Sequence, residues 1–257
     1  MKHRRWILPG LAASCLLPGV AHGDPLPPTV TGYVAFMSNY IGRGLSQSVG
    51  QPSVQAELDY NNTDAGFYAG VDGTSINWID QVYPGDSVSL EVDGYVGYRW
   101  LTGDWTYKGG LLRMQFPGRY TPQNPPVAQP NTTEAFGFVG WHGLSAKLNY
   151  AITNSFATPD SRGSWYLDLS AAEPLDENWT ASAHLGRRQS RGTNPLIGMP
   201  NSSSSYTDYK LSLSRAFPDN LSLTLAWTWT NANPALYTLN GYDLGGHHLA
   251  ITLEKDF

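Results

Sequence analysis

The sequence predicts an all-β fold: a closed antiparallel up-and-down transmembrane β-barrel of about 12 strands. Three observations carry this prediction. Apolar residues alternate with polar or small ones at the two-residue period of a strand in about a dozen segments. The connections between those segments alternate in length, short then long. Beyond Val20, no apolar run approaches the ~18 to 20 residues that a membrane-spanning helix needs. A chain with nine Trp, fifteen Tyr and eight Phe but a mean hydropathy of −0.32 therefore crosses a membrane as strands if it crosses one at all.

The N-terminus indicates the compartment. Lys2, His3, Arg4 and Arg5 precede an apolar stretch from Trp6 to Val20 that ends in Ala21-His22-Gly23. Small residues three before and one before the cut make residues 1–23 a cleaved secretory signal peptide. Residues 24–257 remain as a single barrel domain of 234 residues. Cys15 after Ala12-Ala13-Ser14 is only a loose lipoprotein box, because the apolar run continues through Leu16 and Leu17. The Arg4-Arg5 pair is ordinary in general secretory leaders. Cleavage removes the sole cysteine, so no disulfide staples the mature chain. It also removes Lys2, Arg4 and Arg5, leaving 13 basic against 21 acidic residues and a net charge of −8. That balance argues against a nucleic-acid partner.

The strands follow in order. Predicted segments are 29–41, 53–60, 66–76, 87–100, 105–116, 133–142, 144–153, 164–173, 179–187, 206–217, 221–230 and a last one running to the C-terminus. The fourth shows the principle: Val88, Leu90, Val92, Gly94, Val96, Tyr98 and Trp100 fall on one face. Ser89, Glu91, Asp93, Tyr95, Gly97 and Arg99 fall on the other. A helix would mix these sets, whereas a strand separates them. The eleventh sets Leu221, Leu223, Leu225, Trp227 and Trp229 against Ser222, Thr224, Ala226, Thr228 and Thr230.

Short connections at 61–65, 102–104, 143, 175–178 and 218–220 carry the Asn, Asp, Gly and Pro of tight turns. Long ones fall at 42–52, 77–86, 117–132, 154–163, 188–205 and 231–246. Short periplasmic turns opposite long extracellular loops are the pattern of barrels in the outer membrane of Gram-negative bacteria. A soluble β-sandwich would show the same alternation. Aromatic residues at strand ends (Tyr40, Tyr60, Trp78, Trp100, Trp105, Phe116, Trp165 and Trp179) favour the membrane, as girdles in contact with outer-membrane lipid. So does the terminal strand, in which Leu249, Ile251 and Leu253 lead at matching parity to Phe257, the signature by which the barrel-assembly machinery recognises its clients. Lys255 departs from the apolar residue usual two places before the end.

If lipid-facing residues are apolar, the polar face lines the lumen. That assigns Glu57, Asp59, Asp72, Glu91, Asp93, Asp168, Asp208 and Glu254 inward, against Arg99, Lys147 and Lys210. Such a lining favours cations. The alternative is that these groups pair and plug the interior. Twelve strands ~4.8 Å apart and tilted ~40° enclose a backbone diameter on the order of 24 Å, from which side chains remove roughly 10 Å. A small solute passes if no loop folds inward. Arg43, beside Gly44, either joins a constriction or an anion contact, or else caps strand ends or pairs with an inward carboxylate, the structural role being favoured; Tyr40 and Gln47 share the same alternatives.

In the N-terminal third, the strings Thr31-Gly32-Tyr33-Val34-Ala35, Ser38-Asn39-Tyr40, Arg43-Gly44-Leu45-Ser46-Gln47-Ser48, Pro52-Ser53-Val54-Gln55, Leu58-Asp59-Tyr60 and Gly66-Phe67-Tyr68-Ala69-Gly70 carry a resemblance to the TorF-type porins, a proteobacterial barrel family. Glu91-Val92-Asp93-Gly94-Tyr95-Val96-Gly97-Tyr98 and Phe116-Pro117-Gly118 extend it. Arg43, Gly44, Ser46 and Gln47 are its most specific motif, while Gly42 stands where an aromatic residue is usual. The resemblance implies a barrel with an assumed pore role and no assigned substrate.

An embedded lipid hydrolase is the rival class, but no nucleophile elbow singles out a serine, and His247 and His248 point to opposite faces of a strand. A third class is a barrel that only presents its loops for surface binding. Phosphate-binding loops and metal-ligand clusters are missing from the pattern, so no cofactor, metal or catalytic residue is expected. The sequence thus predicts a small passive pore, weakly cation-preferring, with the carboxylates of the fourth strand near its constriction.

Overall fold

The computed structural model describes residues 28–82, 85–121 and 129–257. The expected signal-peptide segment, and with it the expected cleavage site, lies outside the described residues. Twelve strands form one closed barrel: β1 (Thr29–Met37), β2 (Ser53–Asn62), β3 (Phe67–Ser75), β4 (Leu90–Thr102), β5 (Trp105–Gln115), β6 (Thr132–Trp141), β7 (Leu144–Ala151), β8 (Trp165–Pro174), β9 (Trp179–Gln189), β10 (Tyr206–Phe217), β11 (Leu221–Thr230) and β12 (His248–Asp256). Each pairs antiparallel with its neighbours in the chain, and β1 closes the sheet against β12 with Phe36 opposite Leu253. Closure leaves no strand edge, as a sheet in hydrocarbon requires. Short turns at 63–66, 103–104, 142–143, 175–178 and 218–220 lie at one end. Long connections at 38–52, 76–89, 116–131, 152–164, 190–205 and 231–247 lie at the other.

Most predicted strand limits shift by at most about two residues, and two move further, for local reasons. The segment 29–41 ends at Met37, because Ser38 Oγ accepts the Ile251 amide at 2.9 Å in place of a main-chain carbonyl and the chain turns inward. The segment 87–100 begins at Leu90. Ser87 instead bridges to Arg119, the Val88 amide donates to Asp80 Oδ1, and the Val88 side chain is fully buried among loop residues.

Most apolar side chains occupy two places. Along the strands they face outward: Val30 is 70% exposed and Leu249 68%, which only a lipid environment makes favourable for a whole barrel surface. At the long-loop end they build two small cores. Leu45, Val49, Tyr206, Ala232 and Leu244 form one. Ile76, Ile79, Val88, Met114 and Phe116 form the other, and Trp78 packs against both.

Outward aromatic belts flank the strands. Near the short turns, Trp100 stacks on Tyr107 and Trp105 on Trp141, with ring centroids 5.7 and 5.8 Å apart. Near the long loops, Tyr209, Trp229, Trp227 and His247 stack in series. Three predicted girdle residues do not belong to these belts. Phe116 is buried in the second loop core, and Tyr40 and Trp78 pack against it, because the chain has already left its strand at these positions.

Candidate functional site: a polarised lumen crossed by the first loop

Alternation places one residue in two inside the barrel, where a cavity of about 1590 Å³ borders residues of every strand. Its lining reaches Asp104, His142 and Asn220 at the turn end and Asn201, Ser204 and Tyr237 at the loop end. Of the eleven residues assigned inward from sequence, Glu57, Asp59, Asp72, Glu91, Asp93, Lys147, Asp168, Asp208, Lys210 and Glu254 line this cavity. Arg99 does not border the cavity, although it shares the parity of Glu91, Asp93 and Tyr95 on β4.

The lining is segregated by strand. On β2, β3 and β4, Glu57, Asp72 and Asp93 stand in direct register across adjacent strands. Asp59 and Glu91 lie one inward position away, on β2 and β4. Like charges directly opposite one another cost stability, so this wall is electrostatically expensive. Tyrosines are interleaved with it. The Tyr95 hydroxyl lies between Glu57 Oε1, at 3.0 Å, and Asp59 Oδ1, with one proton to share between them. Its ring lies over Gly70, where a Cβ would collide with it, so a residue with no side chain is required there. Gln55 Nε2 donates to Asp72 at 3.1 Å.

The facing arc has a different character. Lys108 on β5 lies over the rings of Tyr68 and Phe138, and Lys147 on β7 over Phe136 at 4.9 Å. On β8 to β10, His184 sits between two carboxylates, its Nε2 2.9 Å from Asp208 Oδ1 and its Nδ1 3.3 Å from Asp168 Oδ2. The Tyr166 hydroxyl reaches both oxygens of Asp208. Ser170 Oγ is 3.3 Å from His184 Nδ1 but donates to Asp168 at 2.7 Å, which points its proton away from the imidazole. This is a satisfied polar network rather than an activated nucleophile.

Between the walls lies the first loop. Ile41–Gly42 and Leu45–Ser46 pair as a two-residue-loop hairpin whose corner residues, Arg43 and Gly44, have φ of +48° and +78°. Positive φ at both corners is the turn that matches strand twist in such hairpins. The hairpin is folded into the barrel. Arg43 makes a bidentate pair with Glu134 on β6, Nη1 to Oε1 at 2.9 Å and Nη2 to Oε2 at 2.6 Å. Its guanidinium also lies over the Tyr166 ring at 5.0 Å, and its carbonyl accepts from the Tyr206 hydroxyl at 2.8 Å. Gly44 presses on Asp208 and Thr230 so closely that a Cβ would overlap both. Burial pushes the Arg43 pKa down, but the Glu134 carboxylate outweighs it and holds the guanidinium above its ordinary value. Burial, reinforced by Glu91 and Asp93, pushes the Tyr40 phenol well up.

The rest of the motif holds the hairpin in place. Ser46 is fully buried: its hydroxyl donates to Asn39 Oδ1 at 2.6 Å and accepts from the Gly50 amide at 3.1 Å. The Gln47 carbonyl accepts from the Asn77 and Trp78 amides. Glu134, Lys108, Arg188, Tyr68, Tyr166 and Tyr206 were not singled out from sequence. For most of them the parity of their strands was a sufficient signal. For the Arg43 partner there was none.

The model of one family matches residues 21–257, nearly the whole chain; it is described as a bacterial protein of unknown function, Gcw_chp. No curated protein matches. Among solved structures the chain is similar to the KdgM porin, at 9% identity and a TM-score of 0.52, over 89% of this chain and 99% of that one. It is also similar to the NanC porin, at 10% identity and a TM-score of 0.52, over 88% and 98%. At such identities the likeness is one of fold: a closed twelve-stranded antiparallel barrel. The match over residues 21–257 does not carry the TorF-type label; by that match, the chain belongs to the Gcw_chp family of bacterial proteins of unknown function.

Proposed function

We propose that this chain is a narrow pore of the Gram-negative outer membrane, admitting small solutes with a preference for cations and throttled by its own first loop. The observation that carries this reading is a cavity that borders both barrel ends while one of its walls holds five carboxylates. A low-dielectric wall focuses the field of such charges. The porin names of the two similar folds and the TorF-type resemblance support the reading, as do the outward apolar surface and its two aromatic belts. On this reading residues 1–23 direct export, the strand ending in Phe257 engages the assembly machinery, and the short turns face the periplasm.

The test is reconstitution of refolded protein into planar bilayers under a KCl gradient. Stepwise conductance with a reversal potential of cationic sign is expected. Silence from folded, inserted protein excludes the pore, and an anionic reversal potential excludes the charge argument. A second reading has its own support: the bidentate Arg43–Glu134 pair and the seat of Gly44 suit a permanent plug, leaving a barrel that presents its loops. Conductance that appears only when the pair is removed would favour that reading.

A further inference from the structure

We propose that the tyrosine–carboxylate wall of β2, β3 and β4 is a binding subsite for the ammonium end of a small organic amine. Glu57, Asp72 and Asp93 form a register-paired row across three strands, with Asp59 and Glu91 beside it. Two further groups on this wall point to a ligand. Glu57 is 3% exposed and its Oε2 accepts no hydrogen bond from the protein. Tyr68, on β3, is 2% exposed and its hydroxyl has no hydrogen-bond partner, although it borders the cavity. Leaving a buried acceptor unmade costs free energy, and so does holding carboxylates in register. A cation bearing several donors relieves both costs.

The geometry selects an ammonium group over a metal ion. Among the described residues, no three acidic, histidine or cysteine side chains converge as a metal site would require. The carboxylates are instead spread over strands ~4.8 Å apart, with the Tyr68 and Tyr95 rings 6.3 Å from each other among them. An ammonium has three donors that can reach separate oxygens, and the methylenes behind it can lie on phenol faces while the charge sits above them.

The inference rests on the pore reading only for how the amine arrives, so its test is one of equilibrium binding. Refolded barrel in detergent is titrated calorimetrically with 1,4-diaminobutane, with 1,4-butanediol and magnesium ion as comparators. The diamine is expected to bind and the diol not. Asp93→Asn should weaken binding at least tenfold, and Tyr68→Phe, a milder change that keeps the ring, severalfold. Both variants should retain the heat-modifiable gel mobility of a folded barrel. Absence of diamine binding overturns the proposal, as does equal affinity in the folded variants or tighter binding of magnesium. A protein that conducts but does not bind the diamine refutes this subsite and leaves the pore. One that binds it but does not conduct refutes the pore and leaves the subsite.

Discussion

At the scale of single residues, the Arg43–Glu134 pair is the contact on which the lumen depends. Removing one member of a buried ion pair strands the other, a loss of about 3–5 kcal/mol. Glu134→Ala should therefore release the hairpin, raising single-channel conductance and the hydrogen-exchange rate of residues 38–52; unchanged exchange would show that the pair does not hold the loop. Gly44→Val should act in the same direction by a different route. It forces a branched side chain into a left-handed backbone, at about 1–2 kcal/mol, and drives its Cβ into Asp208 and Thr230. The sequence left Arg43 between a constriction or anion contact and a structural role, capping strand ends or pairing with an inward carboxylate, because nothing local selects among them. It could not name Glu134, which lies 91 positions away, because only closure of the barrel brings the two together.

At the scale of elements, outward and inward positions should respond oppositely to charge. Leu225→Arg on β11 places a cation against lipid and should cost about 2–4 kcal/mol near the bilayer midplane. Ala226→Ser, one residue on and facing the lumen, should be close to neutral. Denaturant unfolding in vesicles distinguishes these outcomes. The turn joining β8 to β9 carries a pH signature. Asp176 accepts the amides of Asn178 and Trp179 at 2.7 and 2.8 Å, and these bonds hold its carboxyl below the ordinary value. A depressed carboxyl stabilises the fold above its unfolded pKa of about 3.9, and that contribution is lost as pH falls through the lower folded value. Amide protection at Trp179 should decline over that acidic window in the wild type and lose that dependence in Asp176→Asn. The strands themselves were legible, because alternation records the face that each side chain presents. The aromatic girdle was legible only in part: Tyr60, Trp100, Trp105, Trp165 and Trp179 are strand residues whose parity fixes their side. Tyr40, Trp78 and Phe116 sit where the backbone has bent away, and parity no longer says anything about direction.

At the scale of the whole molecule, the polarity of a water-soluble protein is inverted along the strands and restored only among the loops, which bury Ile76, Ile79 and Val88 in a core of their own. The seam between β1 and β12 completes the enclosure, with the Phe257 amide donating to the Gly32 carbonyl at 2.9 Å and the Gly32 amide returning the bond at 3.1 Å. Deleting Phe257 should lower the yield of heat-modifiable barrel more than it lowers the stability of molecules already closed. The hairpin tip also has a consequence in time. Arg43 and Gly44 follow directly on the first strand, yet their partners lie on β6, β8, β10 and β11, and Ser46 takes the carbonyl of Leu244, just before the last strand. That receptacle is not complete until nearly all of the chain has paired, and contacts so distant in sequence form slowly. The loop that follows the first strand is therefore the last to settle, and its docking marks a finished barrel.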